Sequence, residues 1–243
     1  MTEPAAAGPF AGQVALVTGA SRGIGAATAL ALAARGAHVI LTARDSRLLE
    51  DVEEAIFAVG GHATIAPVDL TEPEGIARLV AALGQRWPSL DLLVLAAAAF
   101  PPLMPVTQLD SREFNRTLTL NLMAQQALLA HCHPMLKRSS DARVIALTSR
   151  VGREPRAYWG AYGASKAALE TLLIAYAEET RAVSKIRVAI VDPGATRTAM
   201  RARAYPGEDP ATVKSPEVVA ERIAALAGEA FVTGHCERVE RAV

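Results

Sequence analysis

Cysteine is nearly missing from this chain: Cys132 and Cys236 are the only two in 243 residues. Two thiols cannot build a disulfide framework, and their scarcity suits a reducing compartment. An excess of charge is missing as well. Lys and Arg number 25, Asp and Glu number 25, and the formal net charge is zero, so no field gathers nucleic acid or an anionic membrane around the protein. Long hydrophobic runs are also absent: the most apolar stretch, Leu92 to Phe100, is far too short to span a bilayer and is closed by Pro101 and Pro102. The first twelve residues have neither a basic nor an apolar signal region. They read as a loose arm, 1–12, on a protein expected in the cytoplasm. His131, Cys132 and His133 are adjacent, but neighbours on a helix point different ways and no second ligand pair follows, so no metal is expected.

What is present is an alternation. Short apolar runs separate longer amphipathic segments along 13–243, the pattern of repeated β–α units, with no break that marks a second domain. Val14 to Thr18, Ala37 to Ala43, His62 to Val68, Leu90 to Ala97, Arg143 to Ser149 and Ile186 to Asp192 read as strands buried on both faces, with a weaker one near Ala230 to Cys236. Thr71 with Glu74 and Asp110 with Glu113 are spaced as capping boxes, and Ser215-Pro216 opens another helix. Arg201 to Pro210 reads as an irregular surface loop. Right-handed crossovers give a single-domain, Rossmann-like α/β fold, a doubly wound parallel sheet whose ligand site lies beyond the carboxyl ends of its strands.

Directly after the first strand come Thr18, Gly19, Ala20, Ser21, Arg22, Gly23, Ile24 and Gly25, leading into an Ala-rich helix. Glycines let backbone approach a pyrophosphate, and a helix amino terminus offers unpaired N–H donors and partial positive charge. The spacing G-x-x-x-G-x-G departs from the commoner G-x-G-x-x-G. At the end of the second strand, where NAD-binding chains carry an acid for the ribose hydroxyl, stand Ala43 and Arg44. A carboxylate there would repel a 2′-phosphate, whereas Arg44 and Arg22 can grip one, so NADP(H) is favoured over NAD(H). Asp45 would partly neutralise Arg44. Asp69 can accept from an adenine amino group or cap the next helix.

Tyr162 and Lys166 lie four apart in a helical segment and share a face. A free phenol, with a pKa of about 10, is a poor acid–base group near neutrality, and a nearby ammonium is expected to lower that value. Tyr162 could then give a proton to a carbonyl oxygen or take one from an alcohol. Ser149, ending the fifth strand, could hydrogen-bond the same oxygen.

On these residues the chain resembles a short-chain dehydrogenase/reductase over nearly its whole length. The resemblance implies that Gly19, Gly23 and Gly25 form the glycine loop, that Asp69 and Leu70 contact adenine, that Ala96 and Ala97 line the cofactor groove, and that Pro193, Gly194, Thr196 and Thr198 hold the nicotinamide carboxamide. It assigns catalysis to Ser149, Tyr162 and Lys166, the last two also touching cofactor. Asn121 becomes a fourth catalytic residue whose carbonyl holds a water in a relay through Lys166. Homodimers or homotetramers, joined through the helices carrying Asn121 and Tyr162, are implied too. One departure stands out: Leu95, Ala96, Ala97 and Ala98 replace the family's Asn-Asn-Ala-Gly, which puts local stability and cofactor affinity in doubt.

The expected activity is reduction of a small-molecule ketone or aldehyde, extending to 3-oxoacyl-carrier substrates. The rivals are an NAD-dependent alcohol or sugar dehydrogenase and a non-catalytic NADPH-binding regulator. Substrate should meet 100–106, 150–159 and 198–210. There Arg153 and Arg156 could attract an anion or stand as ordinary loop arginines, and Tyr158 and Trp159 could form an apolar wall or a subunit contact.

Overall fold

Seven parallel strands run in the order β3-β2-β1-β4-β5-β6-β7; the structure is a computed structural model and describes residues 8–240. They are β1 Val14–Thr18, β2 His38–Thr42, β3 His62–Ile65, β4 Leu92–Leu95, β5 Arg143–Leu147, β6 Arg187–Asp192 and β7 His235–Arg238. Every residue of β1, β4 and β5 is buried, as a sheet covered on both faces requires. Successive side chains divide between two cores. Ala15, Val17, Val39, Leu41, Val94 and Ile145 face one side; Leu16, Ile40, Leu93, Leu95 and Val144 face the other.

Helices α1 (Gly23–Ala33), α2 (Ser46–Ala58) and α8 (Pro216–Gly228) cover the first side. The second carries α3 (Pro73–Arg86), α5 (Ala124–Arg138) and α6 (Gly160–Arg181). Small α4 (Ser111–Leu118) and α7 (Ala199–Ala204) complete the set. Among the described residues no helix is long and apolar enough to cross a membrane. The order of strands reverses between β1 and β4, so the carboxyl ends of these two strands open the cleft where such sheets bind ligands.

Several local expectations change. Residues 1–7 lie outside the described residues, but 8–12 are not loose: Phe10 is buried in the first core and its N–H donates to Arg35 O at 3.0 Å. Asp110 caps α4 by accepting from Glu113 N at 2.8 Å, whereas Thr71 caps nothing. Its N–H and hydroxyl both turn back to Asp69 Oδ1, and α3 starts after Glu72 with Pro73 at its first position. The 201–210 segment is partly helical, because Thr198 Oγ1 accepts from Arg201 N at 3.1 Å and starts α7. The final strand falls at His235–Arg238, later than its apolar residues suggest, as an edge strand of alternating exposure.

Candidate active site

The glycine loop needs its glycines for two reasons. Gly19 and Gly23 have φ of +65° and +56°, values that disfavour any side chain, and a Cβ on Gly19 would sit 2.9 Å from Ala97 N and Cα. Gly25 has no room either, since a Cβ there would collide with Gly19 O. Arg22, the N-cap of α1, makes no side-chain cap, which leaves the helix amino terminus open to an anion. Ser21 is half-buried in the loop, and Ile24 packs partly into the first core.

Arg22 and Arg44 are exposed and, among the described residues, neither pairs with a carboxylate. Asp45 does not neutralise Arg44 through an ion pair; it caps α2, accepting from Leu48 N at 3.3 Å. Burial opposes ionisation of Asp69, but the two Thr71 hydrogen bonds and the positive charge of Arg44 outweigh it and hold the carboxyl below its usual range. Leu70 is buried. Asp69 therefore serves an Asx-type turn before α3, with Oδ1 engaged.

The alanine-rich stretch after β4 is tied down from three sides. Thr18 Oγ1 accepts from Ala96 N and Ala97 N at 3.0 and 3.1 Å and donates to Val94 O. Asn121 grips both backbone groups of Ala99, accepting from N at 2.7 Å and donating to O at 3.0 Å. Gln125 donates to Ala97 O at 3.3 Å. The last contact depends on a π-helical turn, Thr119–Met123, that joins α4 to α5. Ala124 N bonds Thr119 O five residues back, and Gln125 Nε2 takes Leu120 O at 2.9 Å. Sequence reasoning missed Gln125. The replaced asparagines thus leave no loose loop, because side chains from β1, the π turn and α5 hold its backbone.

Asn121 is fully buried and its amide also donates to Ser165 Oγ, on the helix that carries Tyr162 and Lys166. That helix reaches the end of β5 through two more glycines. A Cβ on Gly152 would stand 2.9 Å from Ala167 N, and one on Gly163 would stand 2.9 Å from Val151 O. The 3-10 turn Arg150–Gly152, which follows Ser149, can therefore lie directly on α6. Ser149 is half-buried, and its hydroxyl makes no hydrogen bond among the described residues. A cavity of ≈ 280 Å³ lies beside it, lined by Thr148, Asp192 and Arg238 among others.

Lys166 is buried and donates to Leu147 O at 2.9 Å, with Nζ 5.8 Å from the centre of the Tyr162 ring. Burial lowers its pKa to about 8. Tyr162 moves opposite to expectation: burial first, then the negative charge of Asp192, raise its pKa above the ordinary phenol value. Phe100, Trp159 and Met200 pack about it, and in that setting desolvation exceeds the pull of an ammonium that faces a carbonyl.

Beyond β6, Asp192 Oδ1 accepts from Gly194 N at 2.9 Å, and Thr196 is buried with its hydroxyl donating to Pro193 O at 3.0 Å. Thr198 crosses over the glycine loop, its Cγ2 only 3.4 Å from where a Gly23 Cβ would lie. The segment from Pro193 to Thr198 and the glycine loop thus meet. Of the two cysteines, Cys132 is buried, with its thiol pushed up to about 12, while Cys236 is exposed. His133 shares a 2.8 Å hydrogen bond with Tyr176. Tyr158 is exposed with φ of 71°, and its carbonyl accepts from Met104 N.

The chain, with its glycine loop at the switch point and a Tyr–Lys pair one helical turn apart, is similar to known proteins. The description of short chain dehydrogenases fits residues 13–209. The chain belongs to the short chain dehydrogenase family. It is 34% identical over 207 residues to the oxidoreductase YciK of Escherichia coli strain K12, covering 84% of this chain and 81% of that one. It is 34% identical over 236 residues to a cis-4-hydroxycyclohexanecarboxylate dehydrogenase of Sinomonas cyclohexanicum, covering 93% and 94%. A short chain dehydrogenase from Shigella flexneri, solved in complex with NADP, superposes with a TM-score of 0.91 at 32% identity, covering 96% of this chain and 99% of that one.

Proposed function

We propose that this short chain dehydrogenase is an NADPH-dependent reductase that converts a ketone or aldehyde to an alcohol. The observation that carries the reading is Tyr162, a buried phenol on α6 with the Lys166 ammonium 5.8 Å from its ring centre. Reduction needs a proton donor for the carbonyl oxygen, and a phenol set beside an ammonium can supply one. NADPH, when bound, supplies the hydride. Gly19, Gly23 and the open end of α1 suit its pyrophosphate, and Arg22 with Arg44 suits its 2′-phosphate. The NADP-bound Shigella relative supports that preference.

Ser149 would orient the carbonyl oxygen with its free hydroxyl. Lys166, held by Leu147 O, would steady the cofactor ribose and pass protons to Tyr162. Asn121 acts here through structure, since its side chain joins the 96–99 loop to α6; the same π turn that surrounds it is where a relay water would find a displaced carbonyl. Asp69, Leu70, Ala96, Ala97, Pro193, Gly194, Thr196 and Thr198 complete the cofactor groove in this reading. The domain is taken as 13–243, acting in the cytoplasm.

Oxidation of an alcohol is the second reading, favoured by the dehydrogenase activity in the name of the Sinomonas relative. Subunit pairing through α5 and α6 fits the exposure of Met123 (60%) and Ile174 (41%), large apolar side chains on or beside those helices, and sedimentation velocity tests it: a dimer or tetramer is expected, a monomer contradicts it. Nucleotide fluorescence titrations with NADPH and NADH, followed by NADPH oxidation over a carbonyl panel, test the main reading. Tighter NADPH binding and turnover of at least one carbonyl are expected. Tighter NADH binding would refute the role of the two arginines.

A further inference from the structure

Aromatic side chains are few, five Phe, two Trp and four Tyr, yet four of them, the Tyr162 phenol included, form one cluster. Phe100 lies edge-on to both Tyr162 and Trp159, at 5.2 and 5.3 Å between ring centres, and Trp159 continues to Tyr205 at 5.7 Å. Met200 Sδ closes the group, 3.9 Å from Tyr162 Oη. This surface offers a ring or an alkyl face better contact than it offers a chain of hydroxyls.

Three arginines touch this wall, Arg156, Arg201 and Arg203, and two more, Arg150 and Arg153, lie in the segment just before Trp159; they differ in one respect. Arg150 pairs with Glu154, Arg153 with Glu170 and Arg201 with Glu208. Arg156 and Arg203 pair with no carboxylate among the described residues. Instead Arg156 Nη1 reaches Tyr205 Oη at 3.4 Å and Arg203 Nη2 reaches Phe100 O at 3.1 Å. Each guanidinium is therefore attached to the rim of the apolar wall with donors to spare, on a protein whose overall charge is zero.

We infer that the carbonyl substrate is an apolar, ring-bearing ketone or aldehyde that carries a carboxylate, with the ring against the part-exposed Trp159 and the edge of Tyr205, whose face is taken by the Arg201 guanidinium at 3.6 Å, and the carboxylate on Arg156 and Arg203. The inference rests on the reductase reading for its chemistry, but the anion site stands on its own residues. A planar carboxylate can take two N–H donors from one guanidinium, and the neighbouring apolar surface reduces screening of the charge.

Para-acetylbenzoate and its uncharged counterpart para-acetylbenzamide separate the outcomes. Calorimetric titration of the protein, free and with saturating NADP⁺, should give the carboxylate an affinity about tenfold to a hundredfold above that of the amide, falling as salt rises. In the double variant Arg156→Gln/Arg203→Gln the ratio should approach one, with circular dichroism confirming the fold, while Lys137→Gln on the far end of α5 keeps it. Equal binding of the two probes, binding of neither, or a ratio that survives the double variant would overturn the inference. NADPH oxidation is followed in parallel. Selective carboxylate binding without turnover of any carbonyl counts against the reductase reading and leaves the anion site standing; turnover with no preference for the acid does the reverse.

Discussion

The two walls of the cleft are built from different materials. On the cofactor side the shape is made by backbone: Gly19 and Gly23 at positive φ, an uncapped helix end, and a run of alanines held by Thr18, Asn121 and Gln125. On the side proposed for substrate it is made by large side chains, Phe100, Trp159, Met200 and Tyr205, brought in by three separate segments. A backbone wall tolerates almost no added atom, whereas a side-chain wall can be recut. Changes on the first should act on folding and cofactor binding together, and changes on the second should act on substrate choice.

The largest effect that would sharpen this contrast is expected at Gly19. Gly19→Val adds a Cβ 2.9 Å from the Ala97 backbone at a φ of +65°, so thermal unfolding should show a loss of about 3 kcal/mol or more and NADPH binding should disappear. A variant that binds normally would break the distinction. Asn121→Ala comes next. It leaves both backbone groups of Ala99 and the Ser165 hydroxyl without their amide partner, and denaturant unfolding should register about 2–3 kcal/mol. Gln125→Ala should cost less, because one of its two bonds is long at 3.3 Å and its Oε1 has no partner among the described residues.

Lys166 supplies a pH test of the same ground. Its pKa in the fold is about 8 against the ordinary 10.5, so below pH 8 both folded and unfolded chains carry the proton and the folded state bears the full burden of burying it. Between the two values the unfolded chain holds more protons, and stability contributed at this site rises with pH until it levels off above 10.5. Relative to Lys166→Met, the wild type should therefore gain stability by roughly 3 kcal/mol across that window. A constant difference would show that the ammonium is not desolvated. The smallest effect belongs to the phosphate grip: replacing Arg22 and Arg44 by Ser should weaken NADPH binding about tenfold and leave NADH binding nearly unchanged, as read by nucleotide fluorescence.

What the sequence discloses follows the same division. β1, β4 and β5 are legible as apolar runs, and Gly19 to Gly25 and the Tyr162–Lys166 pair are legible as short spacings, because each is a local pattern. Gly152 and Gly163 carry no signal of their own. Their purpose is visible only when the turn after Ser149 lies on α6. Tyr205 and Met200 join the wall across gaps of 49 residues from Arg156 and 38 from Tyr162, distances no periodicity reaches. The direction of the Tyr162 shift was hidden for a related reason. A helix wheel brings Lys166 to the same face, but the carbonyl of Leu147 that the ammonium turns to, and the packing that buries the phenol, belong to other segments.

A proton leaving the Tyr162 hydroxyl is what the enzymatic account requires above all else, and Tyr162→Phe removes that hydrogen while keeping the ring against Phe100 and Trp159. Single-turnover oxidation of bound NADPH by an accepted carbonyl should slow by about a hundredfold or more in this variant, with NADPH affinity changed by no more than about threefold. An unchanged rate would contradict the assignment of Tyr162 as the acid.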